Sequence, residues 1–337
     1  MKKALITGIA GQDGAFLAKK LIDEGYKVFG ADRRRSDSTY KKLEYLGIEN
    51  KVEFIYFDLL EYSNIYSMIN DKRPNEIYNL AAQSFVKASF DQPITTSDIN
   101  SLGPLRILES IRHIDPSIKF YQASTSEMFG KIQDEIQTEN TKFYPRSPYG
   151  VGKLFAHWMT KNYRESYGIF ACSGILFNHE SEFRGSEFVT KKIVEKLTRI
   201  KKGEDIILSL GNINAMRDWG HAEDYVEGMY LMLQQDKPDD YVLATGKTYS
   251  VRDFVNIVCE ILSIKIQWKG KGIDEKGIDI NSGNVIVNIS PEFFRPAEVD
   301  VLIGDPTKAL KHLEWKPKHD LKSLAERMVN YELKVNK

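Results

Sequence analysis

Cysteine is scarce in this 337-residue chain: Cys172 and Cys259 stand far apart and without CxxC spacing. That argues against a disulfide framework or a zinc site and leaves two buried thiols. An excess of one charge is also missing. Lysine plus arginine number 47, and so do aspartate plus glutamate, giving a formal net charge of zero. A general binder of nucleic acid or membrane surface carries a basic excess instead. Long hydrophobic runs are absent too. No apolar stretch approaches the ~20 residues of a membrane span, and "MKKALITG" enters an apolar strand without a signal-peptide core. No internal repeat or low-complexity tract appears. The expectation is a cytoplasmic, soluble protein that does not bind nucleic acid or membrane, larger than one average domain and smaller than three.

What is present is alternation. Short apolar runs at 3–7, 27–31, 52–57, 76–81, 119–123 and 170–177 read as strands. Amphipathic stretches at 16–25, 101–112 and 149–168 read as helices, the first and last stopping at Gly25 and Gly168. Strand–helix–strand units at this spacing predict an α/β fold with a doubly wound, Rossmann-type parallel sheet over residues 1–180. Residues 181–337 predict a smaller, mixed lobe that mainly binds substrate, with some segments crossing between the two parts. Helices are expected at 187–202, 222–235, 250–263 and 319–333, and "KGKGIDEKGIDINSGN" (269–284) reads as loop. Ligands in such folds bind at the carboxyl ends of the strands.

"TGIAGQDG" (7–14) follows the first strand and opens a helix, with Gly8, Gly11 and Gly14 as G-x-x-G-x-x-G. Glycines there let the backbone approach a pyrophosphate at a helix N-terminus. The second strand ends in "ADRRRS". Asp32 favours a ribose 2′-hydroxyl and hence NAD, whereas Arg33, Arg34 and Arg35 favour the 2′-phosphate of NADP. Three guanidiniums need an anion or solvent, so the reading leans to NADP, with NAD kept open by Asp32. Asp58 and Leu59 are placed to cup the adenine, and "LAAQS" (80–84) is small enough for a cofactor to pass over.

"YGVGK" places Tyr149 and Lys153 at i and i+4 on one helical face. An ammonium beside a phenol is expected to lower the phenol's pKa. Thr125 or Ser126, at a strand end, is positioned by sequence order to hydrogen-bond the same substrate oxygen. Together with the glycine loop, this constellation suggests hydride transfer between alcohol and ketone, as in short-chain dehydrogenases of the extended type.

"ALITGIAGQDG", "YNLAAQS", "FYQASTSEMFG", "FYPRSPYGVGK", "GILFNHES", "RDWGHAEDYV", "FFRPAEVD" and "GDPTKA" resemble the GDP-mannose 4,6-dehydratase family over nearly the whole chain. The resemblance implies a catalytic set of Thr125, Glu127, Tyr149 and Lys153, with no metal. It implies NADP contacts from Gly8, Gly11, Gln12, Asp13, Arg33, Arg34, Asp58, Leu59, Lys153, His179 and Arg184, and the expected cofactor set adds Gly14, Asp32, Ser36, Leu80, Ala81, Ala82, Ser84 and Tyr149. It implies GDP-sugar contacts from Asn178, Lys192, Arg217, Arg295 and Glu298, to which the expected substrate set adds Ser84, Thr125, Ser126, Glu127 and Val189, and a homodimer or homotetramer is expected. The implied reaction oxidises C4, eliminates water across C5–C6 with Glu127 as acid–base, and returns hydride to C6. Rival readings are a dehydratase for a GDP-manno-heptose, a nucleotide-sugar reductase or 4-epimerase that does not need Glu127, and a non-catalytic NADP sensor.

The chain departs from the family pattern at several places. Phe85 stands where histidine is usual, Glu182-Phe183 where proline and arginine are usual, Met128-Phe129 in place of Leu-Tyr, and Asp32 in place of a non-acidic residue. The segment from Arg33 to Leu59 is a few residues shorter. These changes leave the catalytic set intact and bear on the sugar, the cofactor's 2′ position and the oligomer.

Overall fold

The computed structural model describes residues 1–34, 40–293 and 301–335. Seven parallel strands form the central sheet: β1 (Lys3–Thr7), β2 (Lys27–Asp32), β3 (Val52–Tyr56), β4 (Glu76–Asn79), β5 (Lys119–Thr125), β6 (Ala171–Leu176) and β11 (Tyr241–Leu243). Their order is β11-β6-β5-β4-β1-β2-β3, so the chain reverses direction across the sheet between β1 and β4. That reversal opens the crevice in which this class of fold binds ligands. The seventh strand, unread in the sequence, comes from the second half of the chain and pairs with β6.

Both faces of the sheet are covered, as continuous apolar parallel strands require. On one face lie α1 (Gln12–Asp23) and α9 (Ala222–Gln234), burying Leu17, Leu21, Met229 and Leu233 with Ile6 and Val28. On the other, α3 (Tyr62–Lys72), α6 (Gly103–Ile114) and α7 (Pro148–Tyr167) bury Ile65, Ile107 and Tyr163 against Leu5 and Phe120. Of the short helices, α2 (Lys41–Tyr45) packs beside α1, and α4 (Val86–Asp91) and α5 (Pro93–Ser97) pack against α7.

A second apolar core joins α8 (Val189–Lys201), α10 (Val251–Ile261) and α12 (Leu321–Val335), packing Val194, Phe254 and Met328 at 0% exposure. Against it lies a four-stranded sheet of β8 (Leu208–Leu210), β13 (Ile266–Lys269), β14 (Lys276–Asp279) and β15 (Val285–Ile289). The stretch 269–284 is therefore not all loop. Gly270, Gly272 and Gly283 take positive φ in its turns, and Lys276–Asp279 between them pairs on both sides. Small pairings complete the lobe: β7 (Asn178–Glu180) with β10 (Trp219–His221), and β9 (Met216–Arg217) with β12 (Tyr249–Ser250) and β16 (Val301–Leu302). Helix α11 (Thr307–Leu313) closes the chain onto the first core.

The expected helix 101–112 is the end of a longer rod. It starts at Pro93 and passes through a π-helical turn, Asp98–Leu102, before α6. Pro104 sits at the start of α6, where its missing N–H is tolerated as the hydrogen-bond register shifts. Among the described residues, no helix is long and apolar enough to cross a membrane.

Candidate active site

The glycine loop is shaped by close backbone approach. Gly8 has φ +71°, and a Cβ there would lie 2.9 Å from the Ala81 nitrogen. A Cβ on Gly14 would lie 2.4 Å from the Gly8 carbonyl oxygen. Gly11 closes the turn and caps α1, donating its N–H to that same oxygen at 2.9 Å. The loop thus presses against the exit of β4 and leaves the N–H groups of α1 facing the crevice.

A second layer holds the exit of β4. Thr7 Oγ1 accepts from the N–H groups of Leu80 (3.1 Å) and Ala81 (3.0 Å) and donates to Asn79 Oδ1 at 2.7 Å. This is why the strand read as 76–81 ends at Asn79. Asn100, in the π turn, accepts from Gln83 N and donates to Gln83 O, both at 2.9 Å. Segment 80–84 is therefore clamped from both sides. At the neighbouring strand ends, Arg106 donates to the Leu59 carbonyl at 2.9 Å, and Asp58 accepts from Leu60 N at 3.0 Å. Asp32 is half-buried, whereas Arg33 and Arg34 are exposed at the end of β2. Ser36 lies outside the described residues.

Strand β5 runs to Thr125, and Ser126–Met128 form a 3-10 turn capped by Thr125 Oγ1, which accepts from Glu127 N at 3.2 Å. Helix α7 begins beside that turn. Ser147 caps it by accepting from Gly150 N at 3.0 Å, and a Cβ on Gly150 would lie 2.8 Å from the Glu127 carbonyl oxygen. Tyr149 is thereby set against Thr125, its hydrogen-bond partner, and within the field of Glu127. Ser126 is buried beneath them.

The protonation expected for Tyr149 is not what the protein alone provides. Burial pushes its phenol up to about 12, and the Thr125 hydrogen bond lowers it only in part. Lys153 does not reach the hydroxyl. Its ammonium donates to the Ala123 carbonyl at 2.9 Å and sits 5.9 Å from the centre of the Tyr149 ring. Burial lowers Lys153 to about 8, with Asp13 opposing.

Asp13 is the second charged centre. Burial raises its carboxyl, but His179 and Arg184 more than offset this and hold it below its ordinary value. His179 Nε2 lies 2.9 Å from Asp13 Oδ2, its Nδ1 lies 2.8 Å from the Phe177 carbonyl, and its ring stacks on Tyr225. Gln12 donates to the His179 carbonyl at 2.8 Å and accepts from Ser181 Oγ at 2.8 Å. Arg184 pairs with Glu180 at 3.0 Å and lies 3.5 Å over the ring of Phe188, which meets Phe85 edge-on. Segment 178–184 is thus tied to the glycine loop.

The nucleotide-sugar residues are more dispersed. Asn178 pairs with Trp219 in the β7–β10 ladder, and Val189 opens α8. Arg217 is buried and donates to the Met216 carbonyl at 2.8 Å. Lys192 sits 3.4 Å over the Phe293 ring. Arg295 and Glu298 lie outside the described residues. Ser84 is exposed, and Ala82 half-buried, at the mouth of the crevice.

Among the described residues, the buried polar atoms near these centres that lack a hydrogen-bond partner include Asp13 Oδ1, Tyr121 Oη and Ser124 Oγ. With the Gly8–Gly14 cradle, they fit a dinucleotide at the β1–β4 reversal. Thr7, Asn100 and Ser124 were not legible as site residues, since each is a single small polar side chain whose role depends on a distant partner.

A family model described as GDP-mannose 4,6 dehydratase matches residues 5–328. A GDP-mannose 4,6-dehydratase of Vibrio cholerae is 47% identical over 351 residues, covering 99% of this chain and 94% of the relative. Solved structures share the fold at lower identity. A UDP-glucose 4-epimerase of Thermotoga maritima gives a TM-score of 0.84 at 23% identity, covering 99% and 100% of the two chains. A dTDP-glucose 4,6-dehydratase of Bacillus anthracis, in complex with NAD, gives 0.81 at 20% identity, covering 100% and 98%. With the family model spanning nearly its whole length and a curated relative this similar, the chain belongs to the GDP-mannose 4,6-dehydratase family.

Proposed function

We propose that this protein converts GDP-mannose to the GDP-4-keto-6-deoxy sugar and water, with NADP as its resident cofactor. The observation that carries the reading is the convergence of Thr125, Glu127 and Tyr149 at one strand end, beside a glycine cradle that fits a dinucleotide. A bound nicotinamide supplies the hydride acceptor at C4 and the hydride donor at C6. Tyr149 takes the C4 hydroxyl proton, and Thr125 holds the same oxygen. The 4-ketone acidifies the C5 hydrogen. Glu127 removes that proton and then protonates the C6 hydroxyl as it leaves as water. Asp13 raises and Arg184 lowers the cost of charge on Tyr149, and the Lys153 ammonium one turn along the helix adds to the side that favours the phenolate. NADP is preferred to NAD on the exposed pair Arg33 and Arg34, which suit a 2′-phosphate.

Residues 1–180 with the returning β11 form the cofactor half, and 181–337 mainly bind the nucleotide sugar, where Lys192 and Arg217 supply charge for a diphosphate. The protein acts in the cytoplasm as a homodimer or larger homo-oligomer. The pairing face is the α5–α7 surface, where Ile94, Leu102, Val151, Phe155 and Trp158 are 84%, 42%, 54%, 39% and 50% exposed.

The test is mass spectrometry of purified protein with GDP-mannose. The expected product is lighter by one water, with no net consumption of NADPH. If GDP-mannose and other GDP-sugars, a heptose included, all retain their water, the dehydratase reading is wrong.

A further inference from the structure

Glu182 is one of the departures from the family pattern, and it is 6% exposed. A buried carboxylate needs compensation, and this one has a side-chain partner on each oxygen, while a lysine holds its backbone carbonyl. His221 lies with Nε2 3.3 Å from Glu182 Oε2. Its Nδ1 accepts from Glu223 N at 3.1 Å, so the ring proton is on Nε2 and donates to Glu182. Arg327, on α12, donates to Glu182 Oε1 at 3.2 Å. Lys191 donates to the Glu182 carbonyl at 3.0 Å and pairs with Glu332, also on α12.

The arginine also decides what the neighbouring histidines are for. Ligand atoms of His221, Glu223 and His319 lie within 4.8 Å of one another, a spacing that suits a metal ion. Arg327 Nη1 donates to Glu223 Oε2 at 2.5 Å and to His319 Nε2 at 3.1 Å, while His319 Nδ1 faces Asp224 at 3.0 Å. Those lone pairs are already directed at a guanidinium. The cluster is a network around an arginine.

The network ends on the segment that carries His179 and Arg184. On one side of Glu182, Ser181 bonds Gln12 in the glycine loop. On the other, Phe183 stacks on Phe16 of α1 at 5.1 Å and meets Tyr331 of α12 edge-on at 5.9 Å. We propose that Glu182 is a positioning residue for the cofactor: through Arg327 it fastens segment 178–184 to the C-terminal helix, and so sets His179 and Arg184 over the dinucleotide crevice. This rests on the reading of that crevice as the NADP site.

The experiment is NADPH fluorescence titration of cofactor-free protein, wild type against Glu182→Gln, Arg327→Met and the double variant. Each single variant is expected to weaken NADPH about tenfold, in line with loss of one charge-assisted hydrogen bond. The double variant should bind no worse than the weaker single one. With NADPH and GDP-mannose saturating, kcat should fall less than about threefold, since the lost term is binding. A Glu182→Ala variant removes the carboxylate altogether: it should weaken NADPH as Glu182→Gln does, and Arg327→Met should weaken it no further. If the single variants bind NADPH within about twofold of wild type, or if Arg327→Met still weakens binding in the alanine background, the positioning role is overturned. If the wild type binds neither NADPH nor NADH, the cofactor-site reading fails instead.

Discussion

Glu127 stands where strand β5 opens into a 3-10 turn, and its backbone is fixed there by Thr125 below and the start of α7 above. An oxidation at C4 needs only Tyr149 and its neighbours; losing water from C5–C6 needs a group that first takes and then gives a proton. Glu127→Gln keeps the size and the backbone contacts and removes only that capacity. Water loss is expected to slow at least about 100-fold, the lower end of general acid–base contributions, while NADPH affinity stays within about twofold of wild type. Product mass and cofactor fluorescence read the two quantities separately. Unchanged turnover in this variant removes Glu127 from the reaction and returns the reductase and epimerase readings. At this scale the sequence is informative about which residues come together and poor about their state. Tyr149 and Lys153 were readable from i, i+4 spacing. That Lys153 turns to the Ala123 carbonyl, leaving burial to push Tyr149 up to about 12, depends on packing across β5 and α7.

Elements were legible where a local period is enforced by burial. Helices expected at 187–202, 222–235, 250–263 and 319–333 appear as Val189–Lys201, Ala222–Gln234, Val251–Ile261 and Leu321–Val335. Strand β14 was missed because Gly277 contributes no side chain to the alternation, and its reason for being a strand is the pairing on both sides. The rod from Pro93 to Ile114 was truncated because Gly103-Pro104 reads as a helix start. What lies in the unread part is the π turn, whose Asn100 clamps Gln83 and whose Ser101 donates to the Gly152 carbonyl at 3.3 Å. The same rod and α7 present the exposed apolar face. On α7, Val151, Phe155 and Trp158 recur at i, i+4 and i+7 and so form one stripe pointing away from the sheet. A charge in that stripe must be desolvated if a second copy covers it. Val151→Glu with Trp158→Glu is expected to shift the protein to monomers in sedimentation velocity, with the wild type sedimenting as a dimer or larger. Identical sedimentation of the two would move the pairing face elsewhere.

For the whole molecule, the distribution of buried acids sets the response to pH. Asp218 accepts from Thr245 N, Thr245 Oγ1 and Gly246 N at 2.9, 2.6 and 2.9 Å, joining the β9–β10 region to the end of the central sheet. Burial nonetheless pushes its carboxyl from 3.8 up to about 6. The fold therefore prefers the protonated acid. This contribution is present below pH 3.8 and lost as pH rises through 6, worth about 3 kcal/mol. Glu182 has the opposite sign. Burial raises it, but the His221 hydrogen bond, its own backbone N–H and Arg327 hold it at about 2. Its contribution, again about 3 kcal/mol, is present above 4.5 and lost as pH falls toward 2. Asp13 and Asp240 are lowered and act with Glu182. His221 and His157, lowered by burial, cost stability as pH falls through 6.5, whereas His179, raised by Asp13 against its burial, returns some. Between pH 6 and 4, proton uptake by Asp218 offsets what the histidines lose, and the paired carboxylates still hold their charge. Below that range every paired carboxylate works against the fold. Cofactor-free protein is therefore expected to unfold in acid with a midpoint below about pH 4 by far-UV circular dichroism. Asp218→Asn, which holds that position in its neutral form at every pH, should raise stability above about pH 6 and leave the acid midpoint within about half a pH unit of wild type. A wild-type midpoint above about pH 5, or no gain in stability above about pH 6 in Asp218→Asn, would mean that other groups govern the pH response.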